Sequence, residues 1–248
     1  MDMPSPLTLT KSRARLSRQV ALHESSAGHS DIGSTFPLSL EIAEKVKTFG
    51  GSDAHSTFVL EVLLDKCSTL QELSSVMLTL HQYVVGCVRS AFNAREAMIM
   101  EALGGIERGP IIDGFLRKMW QQYHTTFLPT DDVSQLIQAF PSCIASSDVP
   151  DSHALAVWQD LCGCAMPPVL EPMLQELLRL YVFTTVCDPP MLFDASTVGT
   201  EIAFNPEHAT PLDDKIKPGQ PCVIICPALY AIDGLVKAKA KVLAADYL

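Results

Sequence analysis

Over the first three quarters of the chain, apolar residues recur at spacings of three and four, which is the period of an amphipathic helix. The clearest case is residues 167–187, where leucine, methionine and tyrosine mark one face and Pro172 falls in the first turn, which tolerates proline. The spacing predicts a mainly helical body. Its predicted helices begin at 37, 53, 67, 109, 131, 152 and 167.

Beyond Pro190 the apolar period changes to two, which is typical of strands. Residues 222–232 form a nearly continuous apolar run, in which Pro227 marks an edge or a bulge because proline cannot donate to a ladder. Asp233-Gly234 is a two-residue hairpin signal. The sequence therefore predicts an α+β fold, with a mainly helical body and a small C-terminal antiparallel β-sheet.

Three lysines give the last strand a polar side. The segment after the hairpin alternates, and we expect its apolar residues inward and Lys237, Lys239 and Lys241 outward. The inward set is Val236, Ala238, Ala240 and Val242. One interpretation is structural, because lysines on an exposed strand discourage edge-to-edge pairing. The other is that they contact an anionic lipid surface, together with Lys215 and Lys217 from a nearby loop.

Composition divides the chain into two parts. Residues 1–36 are rich in Ser, Thr, Pro and Gly, and are predicted to be a disordered basic tail, whereas 37–248 are predicted to be a single domain. Within the tail, residues 3–23 carry four basic and no acidic side chains, which also fits a mitochondrial presequence. No secretory signal and no apolar run of membrane-spanning length is present, so we expect a soluble intracellular protein.

Charge and cysteine content limit the chemistry. The 248 residues carry a net charge of −10, which argues against a nucleic-acid partner. The eight cysteines lie mostly in apolar runs, as thiols do in a reducing compartment. Cys162 and Cys164 with His153 or Cys187 could make a zinc site, but a single C-x-C is not the two-pair pattern of structural zinc. We therefore predict neither a metal nor another cofactor.

A nucleophile set is the enzymatic alternative. Cys226 with His208 and either Asp188 or Asp213 has the residue types of Cys-His catalysis. No nucleophile motif surrounds Cys226, and the spacing does not require these residues to meet. We therefore predict a non-enzymatic protein, and a reactive Cys226 beside His208 would overturn that prediction.

Three motifs in the C-terminal third follow one another in a recognisable order. They are VCDPPMLFD at 186–194, GTEIAFNPEH at 199–208 and CVIICPALYAIDGLVKAKAKVL at 222–243. This order resembles the C-terminal domain of the mitochondria-eating protein family. The chain departs from that family at Cys226, where the family pattern has tryptophan, and it lacks the sustained heptads of the family's coiled-coil half.

The resemblance implies a role in mitochondrial quality control, through self-association or contact with anionic lipid such as cardiolipin. It implies a cytoplasmic or mitochondrial location, at the outer membrane or in the matrix. No catalytic residue is carried over. The matching motifs Asp188-Pro189-Pro190 and Pro227-Ala228-Leu229 are interpreted as structural. The alternative is a soluble helical scaffold for protein partners in another pathway, in which the lysines are merely solvated.

Overall fold

The computed structural model describes most of the chain beyond residue 38. The described residues are 39–51, 55, 58–104, 109–122, 135, 139–140, 142–143, 152–164, 168–187, 189, 191–212 and 216–247. For 39, 50–51, 152–153 and 162–164 the description covers the backbone alone. The predicted tail 1–36 and most of the helix predicted at 131–139 lie outside these residues.

Helices make up the first part of the fold, as the apolar spacing predicts. They are α1 (Ser39–Gly51), α2 (Leu70–Ala102), α3 (Pro110–Gln122), α4 (Ser152–Cys164) and α5 (Leu170–Val186), with a π-helical segment at Phe58–Leu63 before α2. The helical region predicted from residue 53 contains this π-helical segment. Among the described helices, none is both long and apolar enough to cross a lipid bilayer.

The long helix α2 begins at a capping box. The Thr69 side chain accepts the backbone N–H of Glu72, and the Glu72 carboxylate accepts the backbone N–H of Thr69. These reciprocal bonds satisfy two N–H groups that a helix start leaves without partners. The buried positions of α2 end at Phe92, so its first two thirds form the packing surface for α4 and α5.

One large core joins the helices to the sheets. Trp158 of α4 is fully buried, stacks with Phe58 and meets Phe140 edge to face at a centroid distance of 4.7 Å. Its indole Nε1–H donates to the Val76 carbonyl of α2 at 3.2 Å. Trp158 belongs to the same core cluster as the apolar residues of α1, α2 and α5, and its hydrogen bond joins α4 to α2.

Seven short strands follow α5. They are β1 (Met191–Phe193), β2 (Glu201–Ala203), β3 (Ala209–Pro211), β4 (Pro221–Cys226), β5 (Leu229–Ala231), β6 (Val236–Ala238) and β7 (Ala240–Ala244). Among these described strands, β1-β5-β6 form one sheet and β2-β4-β7-β3 form another. The α+β prediction is confirmed. Where the sequence predicted a single antiparallel sheet, the structure has two sheets, and β3 runs parallel to β7.

A bent two-stranded antiparallel ribbon connects the two sheets. One side of the ribbon is β4 followed by β5, and the other is β6 followed by β7. The predicted hairpin at Asp233-Gly234 is present, with β5 antiparallel to β6 and Gly234 at φ +83°. The apolar run expected as one strand breaks at Pro227-Ala228, and the alternating segment breaks at Lys239. These two breaks lie opposite one another. The paired strands β4 and β7 therefore belong to the four-stranded sheet, and the paired strands β5 and β6 belong to the three-stranded sheet.

Candidate functional site

The three lysines of the last predicted strand lie in three different settings. Lys237 is exposed on β6, Lys239 is exposed at the break between β6 and β7, and Lys241 is half-buried on β7. They belong to two sheets, so they do not form one continuous outward face. The burial of Ala238, Ala240 and Val242 agrees with the predicted alternation, whereas the prediction for Lys241 is wrong.

Lys241 lies on the side of β7 that faces the helical body. Its neighbour two positions along, Leu243, belongs to the main core, whereas Ala240 and Val242 belong to a second apolar cluster on the other face. Both faces of this sheet are therefore covered, and a lysine on either face is partly buried. Burial lowers the pKa of Lys241, and the neighbouring Cys226 acts in the opposite direction.

The other predicted lipid-contact lysines are on loops. The Lys239 ammonium donates to the Pro206 carbonyl, which fixes it against the turn before β3. Lys217 is exposed in the loop before β4, where its backbone N–H donates to the Gln220 side chain at 2.7 Å. Lys215 lies outside the described residues. Of the predicted lysines that the structure describes, Lys237 and Lys217 project with the fewest constraints on their ammonium groups.

Two leucines that were not predicted as site residues are exposed in the region of the three-stranded sheet. Leu235 follows the hairpin turn and is 59% exposed, and Leu192 on β1 is 55% exposed. The turn holds its shape because the Asp233 carboxylate accepts the Leu235 backbone N–H at 3.0 Å. We call Leu235 and Lys237 the hairpin surface. An apolar residue directly after Asp-Gly was the available signal for Leu235, since turn positions are normally polar.

A polar cluster lies inside the helical body, beneath the ribbon. His81 of α2 and Tyr181 of α5 are buried, and the His81 Nδ1 lies 2.9 Å from the Tyr181 hydroxyl oxygen. His81 Nε2 has no hydrogen-bond partner among the residues that the structure describes. A buried imidazole in this position stays neutral, since a charged one would lose its hydration.

Burial shifts the pKa of each group in this cluster toward its neutral form. It lowers the pKa of His81 to about 3, with His55 contributing, and the pKa of His55 to about 4, with Lys241 contributing. Burial likewise raises the pKa of Tyr181. The cluster is therefore a set of neutral groups within the core, which suits packing better than acid–base chemistry near neutral pH.

Cys226 lies at the edge of that cluster and is not activated. It is buried, and burial raises the pKa of its thiol to about 12, although Lys241 acts in the opposite direction. His208 has an exposed side chain, and its carbonyl accepts the Ala240 N–H. Asp188 and Asp213 lie outside the described residues. A protonated, buried thiol is a poor nucleophile, so the structure does not support the enzymatic alternative of Cys226 with His208.

We expect Cys226 to resist alkylation in the native chain. Iodoacetamide needs a thiolate and access to it, and Cys226 has neither, whereas Cys143 is exposed. Peptide mass spectrometry after timed alkylation should show early modification of Cys143 and modification of Cys226 only after urea is added. Rapid native modification of Cys226 would restore the enzymatic alternative.

The two predicted structural motifs are described in part. Pro189 is exposed after α5, whose last hydrogen bond runs from the Cys187 N–H to the Phe183 carbonyl, and Asp188 and Pro190 lie outside the described residues. Pro227, Ala228 and Leu229 are all buried at the bend of the ribbon. Pro227 thus marks an irregularity, as expected from its missing N–H.

Metal ligation finds no support in the part of the chain that is described. There, no group of three or more His, Cys, Asp or Glu side chains is arranged to hold an ion. The side chains of the zinc candidates His153, Cys162 and Cys164 lie outside that part, and Cys187 is buried with its thiol donating to the Thr184 carbonyl.

Comparison of the chain with protein-family models, curated proteins and solved structures finds no match.

Proposed function

We propose that this chain is a non-enzymatic interaction domain that contacts anionic lipid through the hairpin surface. The observation that carries the proposal is an exposed leucine, Leu235, directly after the Asp233-Gly234 turn and two residues from the exposed Lys237. A leucine and a lysine side by side suit the boundary between acyl chains and lipid phosphates. The resemblance of residues 186–243 adds the context: a cardiolipin-containing mitochondrial membrane and a role in mitochondrial quality control.

The energies imply weak binding by a single chain. Full burial of a leucine side chain contributes about 1.5–3 kcal/mol, and each lysine near an anionic surface contributes about 1 kcal/mol. Asp233 in the same turn opposes part of the attraction to phosphate. Several chains acting together would bind far more tightly, because the later contacts become intramolecular. Self-association is therefore part of the proposal.

Liposome co-sedimentation of the full chain tests this proposal. We expect the chain to sediment with cardiolipin-containing vesicles but not with phosphatidylcholine vesicles, and to release as salt is raised. The variant Leu235→Gln/Lys237→Gln should reduce the bound fraction several-fold. The matched control is Leu40→Gln/Lys118→Gln, which removes an exposed leucine and an exposed lysine elsewhere on the surface.

Two results would count against the proposal. If the hairpin variant binds as well as the control variant, the hairpin surface is not the lipid contact. If the native chain stays in the supernatant with every lipid and at every salt concentration, the domain does not bind anionic lipid at all. Retained far-ultraviolet circular dichroism of both variants is the check that the fold is intact.

A soluble scaffold for protein partners is the second candidate, and helix α3 favours it. Ile111 is 87% exposed and Phe115, one turn later, is 50% exposed, so one side of α3 presents an apolar pair to solvent. Exposed apolar pairs of this kind are common at helix-mediated interfaces. Loss of self-association in Ile111→Ser/Phe115→Ser, measured by sedimentation velocity, would support this candidate if the native chain also fails to bind cardiolipin-containing vesicles.

A further inference from the structure

Two cysteines from distant parts of the chain lie beside the same tyrosine. Tyr83 and Cys87 are one turn apart on α2, so they share a face of that helix. The Tyr83 hydroxyl is in hydrogen-bonding contact with both the Cys87 thiol and the Cys143 thiol. The two sulfur atoms are thus neighbours of one hydroxyl group, and the Cys143 thiol also acts electrostatically on the Cys87 thiol. Both cysteines are thiols in the structure.

The position of Cys143 is fixed by a buried aromatic residue nearby in the sequence. Phe140 is fully buried, with its ring 4.6 Å from that of Tyr83 and 4.7 Å from that of Trp158. Phe140 therefore packs against the same residue, Tyr83 of α2, that Cys143 contacts three positions later in the chain. Two separate contacts with Tyr83, one from each of these residues, thus place Cys143 beside α2.

The two thiols differ in solvent exposure, so they have different roles in a reaction with an oxidant. Cys143 is exposed and Cys87 is half-buried, with burial raising the pKa of the Cys87 thiol. The other cysteines whose side chains are described are buried: Cys67, Cys187, Cys222 and Cys226. Among these described thiols, Cys143 is the one that a dissolved oxidant meets first, and Cys87 is the one placed to react with it.

We propose that Cys87 and Cys143 are a modification site for hydrogen peroxide, which joins them in a reversible disulfide. The Cys143 thiolate attacks one peroxide oxygen, the O–O bond breaks, and Cys143 sulfenic acid and water are formed. The Cys87 sulfur then attacks the Cys143 sulfur, and the S–O bond breaks with loss of a second water. Two thiols and one peroxide thus give one disulfide and two waters.

The disulfide would connect α2 covalently to Cys143, three residues after the Phe140 ring that packs against Trp158. A bond of this kind restricts the unfolded chain and raises the stability of the folded one. A thiol reductant such as glutathione reverses the reaction by exchange. Peroxide would therefore change the rigidity of the helical body without touching the hairpin surface.

Peptide mapping of the full native chain under non-reducing conditions tests the proposal. After treatment with hydrogen peroxide and blocking of remaining thiols, we expect a cross-linked Cys87–Cys143 peptide in most chains, a raised melting temperature and reversal by dithiothreitol. Cys143→Ser should abolish the cross-link and the thermal shift, and since this residue is exposed the variant should fold. Cys67→Ala, which removes a buried cysteine elsewhere, should leave both unchanged.

Tyr83 is a positioning residue in this proposal, and Tyr83→Phe tests it with separate readouts. The ring and its contact with Phe140 are retained, so dimedone trapping of Cys143 sulfenic acid should proceed at the native rate. The cross-link yield for each oxidised Cys143 should fall several-fold. The proposal is overturned if native Cys143 reaches sulfinic acid without a cross-link, or if its disulfide forms with a cysteine other than Cys87.

Discussion

Lowering the pH from about 7.5 to about 5 is expected to reduce the free energy of unfolding by about 4 kcal/mol, through His55 and His81. Their folded-state pKa values, about 4 and about 3, lie below the 6.5 of an unperturbed histidine. The unfolded state therefore binds more protons as the pH falls below 6.5. The contribution of each neutral histidine to the free energy of unfolding is fully present above pH 6.5 and is lost progressively toward pH 4. By pH 5 the loss is about 2 kcal/mol per histidine.

Urea denaturation at a series of pH values measures this effect. His81→Gln and His55→Gln should each remove about half of the pH dependence between roughly pH 7.5 and pH 5, whatever they do to the stability at neutral pH. His208→Gln is the matched control, because it removes a histidine whose side chain is exposed. A native protein whose stability is flat across this range would show that the two imidazoles are hydrated in the folded state.

Replacing Trp158 with alanine is expected to lower the free energy of unfolding by about 3–5 kcal/mol, the range for large buried aromatic residues. The change leaves a cavity between Phe58 and Phe140 and removes the hydrogen bond to the Val76 carbonyl. Because Trp158 joins α4 to α2, the change weakens the packing of these two helices against each other. Such a loss is a large part of the stability of a domain of this size.

Chemical denaturation of two further variants separates the causes. Trp158→Phe keeps an aromatic ring in the site and should lose only about 1–2 kcal/mol, part of it from the missing indole donor. Trp120→Ala is the comparison for a partly buried tryptophan, whose ring packs against Phe92 at 4.9 Å, and should cost less than Trp158→Ala. Equal losses for the two alanine variants would contradict the central place of Trp158.

Features that depend on neighbours in the sequence were predictable. Thr69 and Glu72 have the spacing of a capping box, so the start of α2 follows from local hydrogen bonding. Asp233-Gly234 has the residue types of a tight hairpin, because glycine adopts positive φ without strain. Pro172 falls in the first turn of α5, as the absence of its N–H requires. In each case the energy that decides the conformation acts within a few residues.

Features set by distant contacts were not predictable from one sequence. Period-two alternation shows that Lys241 is on the opposite face from Val242, but not which face meets the helical body. Since apolar clusters cover both faces of that sheet, the outward position expected for Lys241 does not exist. The meeting of Cys87 with Cys143 likewise depends on where Phe140 packs, which no local pattern encodes.

The order of strands in the larger sheet has a consequence for synthesis on the ribosome. Strand β7 is the last of the four to be made, yet it lies between β4 and β3 and pairs with both. Until it emerges, β3 has no strand beside it in this sheet and β4 is paired on one edge alone. The helices can begin to pack earlier, because their contacts are largely with one another. The nascent chain thus carries a partly packed helical body, whose core still lacks the last strands, and an open β edge. In this state chaperones and aggregation compete for it.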